Sequence, residues 1–177
     1  MLQRRKGLRP GLRTEGRIPQ VAIGQGRLNS PVARAQELDI AAGPTRSGAT
    51  RLLESADLPT SDLDGSLDHF FFIGTASMPI GLVGLEACGE HALLRSLVVA
   101  PSARAAGAGT ALVEHAEAHA RSVGVRDVYL LTTTAENFFA RRGYVRIGRE
   151  KAPEPIRSTR EFAGICPASS AFMVKHL

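Results

Sequence analysis

The segment from His91 to Ser122 limits the possible folds more than any other part of the chain. "HALLRSLVVA" (91–100) is a long apolar run interrupted by Arg95 and ended by Pro101. From Gly107 an amphipathic helix is predicted to Ser122. Ala108, Leu112, Ala116, Ala120 and Val123 fall on one stripe, with Glu114, Glu117 and Arg121 opposite. A strand therefore feeds through a short turn into a helix N-terminus. The first amides of a helix lack partners and the helix dipole is positive there, so such a turn suits an anion like pyrophosphate. Gly107 and Gly109 allow close approach to the backbone, and Arg104 adds a fixed charge. The turn contains neither G-x-x-x-x-G-K-[ST] nor a full G-x-G-x-x-G. Spacing alone also allows an idle alanine-rich turn.

The flanking segments fill in a mixed architecture. "ELDIAAGP" (37–44) reads as a first strand, and "TRSGATRLLESADLP" (45–59) as a helix capped by Thr45 and closed by Pro59. "HFFFIGT" (69–75), "PIGLVGLEAC" (79–88) and the 91–100 run, joined by short turns, predict an antiparallel meander. After the helix come a strand at 127–133, a helix at 135–143 and a strand at 144–148. A helix or partly helical loop is expected at 152–167, and "SAFMVKHL" closes as a strand. A meander followed by alternating strands and helices implies an α/β (α+β) domain with helices covering a mixed sheet.

Charge separates the first residues from the rest. Residues 1–35 hold Arg4, Arg5, Lys6, Arg9, Arg13, Arg17, Arg27 and Arg34 against Glu15 alone, while acids outnumber bases from 36 to 177. The leader is expected to be disordered, or to reflect an early start codon. It has no aromatic residue to stack on bases, so nucleic acid is an unlikely partner. No run of 18 apolar residues exists, so no membrane span is expected. Cys88 and Cys166 have no metal-like spacing and read as free thiols of a cytoplasmic protein.

L-x-V-x-P-x-x-R-x-x-G-x-G, filled by Leu97, Val99, Pro101, Arg104, Gly107 and Gly109, resembles the acetyl-CoA motif of GNAT-family N-acetyltransferases. "TTTAENFFARRGY" (132–144) resembles that family's second motif. The likeness covers residues 36–177 and implies a GNAT fold, a mixed sheet of about six or seven strands flanked by helices. "LLRSLVVAP", "YLLTTTAENFF" and "IRSTREFAGICPASSAFMVK" further resemble the acetyltransferases of arsenic-resistance operons. "TA-x-x-F" and the closing "VK-x-L" are more loosely similar to the acetyltransferase domain of N-acetylglutamate synthases.

On the cofactor side, the resemblance implies that the amides of Arg104, Ala105, Ala106, Gly107, Ala108, Gly109 and Thr110 hold the pyrophosphate of acetyl-CoA. The edge of Leu97, Val98 and Val99 would pair with its pantetheine arm, and an amide at Val98 or Val99 would polarise the thioester. Thr132, Asn137 and Phe139 complete this side. Many family members carry Tyr where Phe139 stands and Asn where Thr132 stands. No metal is expected.

For the acceptor, the resemblance implies the amine of a small amino-acid-like molecule, in arsenic or related toxicant resistance. Amino-acid N-acetylation of N-acetylglutamate-synthase type is the alternative, and an acetyl-CoA-binding sensor the non-enzymatic one. The sequence leaves room for a homodimer. An amine must lose a proton before attack, which makes Glu86 the first candidate base and His91 the second. Arg95, Ser96, Thr133, Arg157 and Arg160 are candidate acceptor contacts. Arg157 and Arg160 could share a helix face suited to a carboxylate, phosphinate or arsonate. Solvated faces account equally for several of these. His115 and His119, four apart, read as a solvated helix face, and the two cysteines as small buried hydrophobes.

Overall fold

The computed structural model describes residues 38–63 and 65–177. The expected basic leader at 1–35 lies outside the described residues. Among the described residues, seven strands form one sheet: β1 (Ile40–Ala42), β2 (Phe70–Thr75), β3 (Met78–Cys88), β4 (His91–Val99), β5 (Asp127–Thr132), β6 (Val145–Ile147) and β7 (Ala171–His176). Their order across the sheet is β1-β2-β3-β4-β5-β7-β6. Every pairing is antiparallel except the central one between β4 and β5. This is the mixed sheet of about seven strands anticipated above, an α/β layering with helices on its faces.

Helix α1 (Arg46–Glu54) starts where Thr45 Oγ1 accepts the Gly48 amide at 3.1 Å. It ends short of Pro59, since Asp57 already turns the chain with φ +54°. With Leu63, Leu67 and Phe70, its Leu52 and Leu53 cover one face of the sheet. Helix α2 (Ala108–Ser122) covers the other, sealing Leu112, Val113, Ala116 and Ala120 against Phe71, Val83, Leu85 and Leu94. Each buried Leu, Val or Phe among these contributes about 1.5–3 kcal/mol. Helices α3 (Glu136–Ala140) and α4 (Glu154–Arg157) are short. The expected 152–167 helix divides into α4 and a π-helical turn at Glu161–Ile165. Residues Pro101–Ala106, expected as open turn, form a 3-10 helix entered through Pro101.

Four residues on and beside α2 change assignment. Val123, placed on the buried stripe, is the exposed C-cap, because the helix ends before its side chain meets the sheet. Glu117, placed on the polar face, is only 3% exposed, because Lys175 reaches in from β7 with its Nζ 2.6 Å from the carboxylate. His115 and His119 also leave the solvated face and pack edge-on against Phe71.

The feature that shapes the site lies in β4. Leu82 pairs with Val98 but Gly84 pairs with Arg95, so Val83 faces two residues, Ser96 and Leu97. Ser96 takes φ +55°. This β-bulge shifts the alternation by one, so that Val98 continues the face of Leu93 while Leu97 turns to the α2 side. It also bends β4 away from β5. Their pairing runs from His91↔Asp127 to Leu94↔Leu130 and stops, although both strands continue.

Candidate active site

The parting of β4 from β5 opens a cleft of about 600 Å³, lined among others by Leu97, Val98, Val99, Arg104, Gly109 and Phe138. At its head stands the start of α2. Gly107 takes φ +76°, a left-handed conformation that glycine adopts without strain, and joins the 3-10 helix to α2. The first intrahelical bond runs from the Ala111 amide to the Gly107 carbonyl at 3.0 Å, so the amides of Ala108, Gly109 and Thr110 have no acceptor within the helix. A methyl on Gly109 would lie 3.4 Å from the Phe138 ring, which leaves the bed between them narrow. Unpaired helix-start amides, an open strand edge and a narrow glycine bed suit a phosphate-bearing chain laid along β4.

Arg104 donates from Nε to the Val99 carbonyl at 3.0 Å, fixing its charge beside the cleft. A residue that the sequence did not bring forward completes this end. Arg142 stacks on Phe138, its guanidinium carbon 3.4 Å from the ring centroid. It donates to the Phe138 carbonyl at 2.7 Å and also to Thr110 Oγ1. The i, i+4 spacing of Phe138 and Arg142 in "FFARRG" was the available signal. Ala105 and Ala106 belong to the 3-10 turn, and Ala108 is fully buried, so any contact from Ala108 to a ligand is through its backbone.

The cleft continues into a recess reached past Leu97, Thr134 and Ala135. It is lined by Arg95, Ser96, Thr132, Thr133, Phe139 and Cys166 among others. Thr132 uses its hydroxyl to accept the Ala135 amide at 3.0 Å, ordering the turn after β5. Phe139 is 4% exposed and packs edge-on against Phe138 and Tyr144. Asn137 is exposed on α3 and lines neither space. Burial pushes the Cys166 thiol up to about 11, with the Glu161 carboxylate adding to the rise.

Arg95, which lines the recess, also lines a second cavity with Asp62, Phe70, Glu86 and Arg160. It does not reach out as a free guanidinium. Its Nη2 binds Asp62 Oδ2, its Nε lies 3.0 Å from Glu161 Oε1, and its Nη1 lies 3.7 Å from Glu86 Oε2. Asp62 and Glu161 escaped sequence reasoning because each sits alone in a loop-like stretch with no periodicity. Burial raises the Glu161 carboxyl to about 7; Arg95 pulls it down, and Asp62 and Glu86 push it further up.

Glu86 is half-exposed and is separated from the cleft by Arg95. His91 sits at the closed end of the β4–β5 pairing, its Nδ1 3.2 Å from Asp127, away from the cleft. The structure does not bring Arg157 and Arg160 onto one face. Arg157 is exposed and pairs with Glu154 at 3.3 Å, whereas Arg160 lines the second cavity and donates to the Ser61 carbonyl at 3.1 Å. The intervening turn after α4 separates them.

Comparison with known proteins bears on this geometry. The profile of the family described as "Acetyltransferase (GNAT) family" matches residues 39–148. An amino-acid acetyltransferase of Ralstonia nicotianae is 40% identical over 72 residues, 41% of this chain and 15% of that protein. One of Salmonella typhi is 32% identical over 97 residues, 52% of this chain and 21% of its own. The chain thus spans about a fifth of the length of these relatives. N-acetylglutamate synthase from Neisseria gonorrhoeae, complexed with coenzyme A and N-acetyl-glutamate, superposes with a TM-score of 0.66 at 22% identity, covering 79% of this chain and 35% of that one. A Mycobacterium tuberculosis protein in complex with CoA gives 0.64 at 19% identity, covering 78% and 99%. At these identities the likeness is one of fold.

Proposed function

This chain belongs to the GNAT acetyltransferase family, and on that premise we propose that it transfers the acetyl group of acetyl-CoA to the amine of a small amino-acid-like acceptor. The observation that carries the reading is the β4–β5 cleft, with its open strand edge leading to the unpaired amides of Ala108, Gly109 and Thr110. Those amides, with Arg104 and Arg142 beside them, hold the pyrophosphate. The edge of Leu97–Val99 pairs with the pantetheine arm, and an amide at Val98 or Val99 stabilises the oxyanion formed on attack.

Attack is direct, within a ternary complex. Cys166, the thiol beside the recess, is held protonated at neutral pH and does not serve as a covalent carrier. Phe139 has no proton to give, so the coenzyme leaves as thiolate or takes a proton from water, which a thiol of pKa near ~8.5 permits. Glu86, reached through the second cavity that shares Arg95 with the recess, is the base, Ser96 and Thr133 offer hydroxyls, and Arg160 is a further acceptor contact. Arg157, paired with Glu154, is left out.

The acceptor's identity has two readings. Likeness of the C-terminal stretch to arsenic-resistance acetyltransferases favours an arsenic- or phosphorus-bearing amino-acid analogue, handled in the cytoplasm. The amino-acid acetyltransferase relatives favour an ordinary amino acid. A thiol-release assay across amino acids and their arsenic and phosphorus analogues separates them. Turnover of L-glutamate alone selects the biosynthetic reading. CoA binding without turnover of any acceptor would replace the enzyme with a sensor.

A further inference from the structure

We propose that the cavity between β3 and the residues Asp62 and Ser66 receives the acceptor's ammonium group, that Asp62 is the carboxylate that holds it, and that its arrival drives a proton off Glu161. This rests on the reading of the chain as an amine acetyltransferase and assigns the charge state in which the acceptor is recognised.

The argument begins with an imbalance. The cavity, about 360 Å³, is walled by Asp62, Ser66, Phe70, Glu86, Arg95 and Arg160. Arg95 alone is shared by Asp62, Glu86 and Glu161. Even with Arg160 at the wall, three carboxylates face two guanidinium groups. Removing carboxylates from water without matching positive charge is costly. Among the described residues, the cluster with all three carboxylates ionised therefore lacks one cation, a deficit that a proton on Glu161 makes good until a cation arrives.

An independent observation points into the same space. Asp62 is 7% exposed and lines the cavity, yet its second oxygen, Oδ1, is buried with no hydrogen-bond partner. A buried acceptor left unmatched costs about 1–3 kcal/mol, and more when charged. An ammonium supplies both what Oδ1 lacks, an N–H donor, and what the cluster lacks, a positive charge. Phe70 forms an apolar wall, with the Arg95 guanidinium 5.6 Å from its ring centroid. A neutral aromatic amine would meet only half of this demand.

Glu161 responds because it shares Arg95 with Asp62. The charged and titratable groups around it are Arg95 from β4, Asp62 from the turn, Glu86 from β3 and Cys166 at the end of its own turn. With the cavity empty, excess negative charge favours a proton on Glu161. An arriving ammonium removes that excess, and the proton leaves to solvent. In the reaction the ammonium gives one proton to the carboxylate cluster. Its nitrogen then forms the C–N bond as the C–S bond breaks, its second proton passes to water, the thiolate takes a proton from water, and the cluster releases its proton. Amide, thiol and one proton result.

The test is calorimetry of the full chain with CoA bound, titrated with L-glutamate and its phosphinate analogue at pH 6.5 in two buffers of different ionisation heat. The wild type should release a fraction of a proton on binding, and Glu161→Gln should bind within a few-fold and release none. Asp62→Asn should raise the acceptor KM tenfold or more with CoA affinity unchanged. If that variant does not fold, the proton counts of wild type and Glu161→Gln still decide. Binding without proton release, or a folded Asp62→Asn with unchanged KM, overturns the assignment while leaving acetyl transfer standing. Absence of thiol release with both probes overturns the acetyl-transfer reading and this assignment together.

Discussion

Arg95 of β4 and Glu161 of the π-helical turn meet with Nε and Oε1 3.0 Å apart, tying the middle of the sheet to the segment between α4 and β7. Arg95 is 9% exposed and carries three carboxylates at once. Arg95→Met would strand them, and breaking a buried pair in this way costs about 3–5 kcal/mol. Urea denaturation at pH 8 should register that loss. A cost near zero would mean that the carboxylates find water instead.

The burial of Glu161, against the pull of Arg95, predicts a pH dependence. Glu161 is raised to about 7 in the fold, chiefly by burial, against 4.5 for an ordinary carboxyl. The native state thus keeps a proton that the unfolded chain has lost. Its contribution to stability is full below about pH 4.5 and is lost as pH rises through about 7. Relative to wild type, Glu161→Gln should lack this decline across pH 5 to 8, as measured by denaturation midpoints. Parallel curves would dismiss the effect.

His119 works in the opposite direction. Burial, and then the neighbouring charges of His69 and His115, lower its pKa below 6.5. Folding therefore excludes a proton that the unfolded chain accepts, and stability falls as pH drops below about 6.5. His119→Gln should flatten the acid limb, seen in thermal midpoints between pH 5 and 7.

On α2, Glu117 is buried and its carboxylate meets Lys175 Nζ at 2.6 Å. Lys175→Met should cost about 3–5 kcal/mol by removing the near partner of that buried charge and leaving it Arg121 Nη2 at 4.0 Å. Adding Glu117→Leu should recover most of it, a coupling that a double-mutant cycle measures directly.

Gly109 faces Phe138 across the narrow bed at the head of the cleft, a methyl's distance of 3.4 Å. Gly109→Val should fill the bed and weaken CoA binding tenfold or more, about 1.4 kcal/mol, while thermal stability stays close to wild type. Titration calorimetry with CoA provides the measurement.

What the sequence revealed, and what it hid, divides along range. The β4–turn–α2 unit was legible because its signals are local: an apolar run, Pro101, then Gly107 and Gly109 at a helix start. The bulge at Ser96 was hidden, since nothing in "LLRSLVV" marks the extra residue facing Val83. Glu117 and the two α2 histidines were misjudged because a helix's polar face is decided by what packs on it, here Lys175 and Phe71. Arg95 stands out in an apolar strand, but its partners come from a turn, a strand and a π-helical stretch that no spacing relates.

The parallel contact between β4 and β5 holds only from His91–Asp127 to Leu94–Leu130. Strands β1–β4 and β5–β7 are therefore two leaves on a spine of four register positions. Anything lodged in the cleft acts as a wedge, and the strain of admitting it falls on that spine. Occupancy should thus be legible at a distance, in the hydrogen-exchange rates of the amides of Ala92–Leu94 and Val128–Leu130.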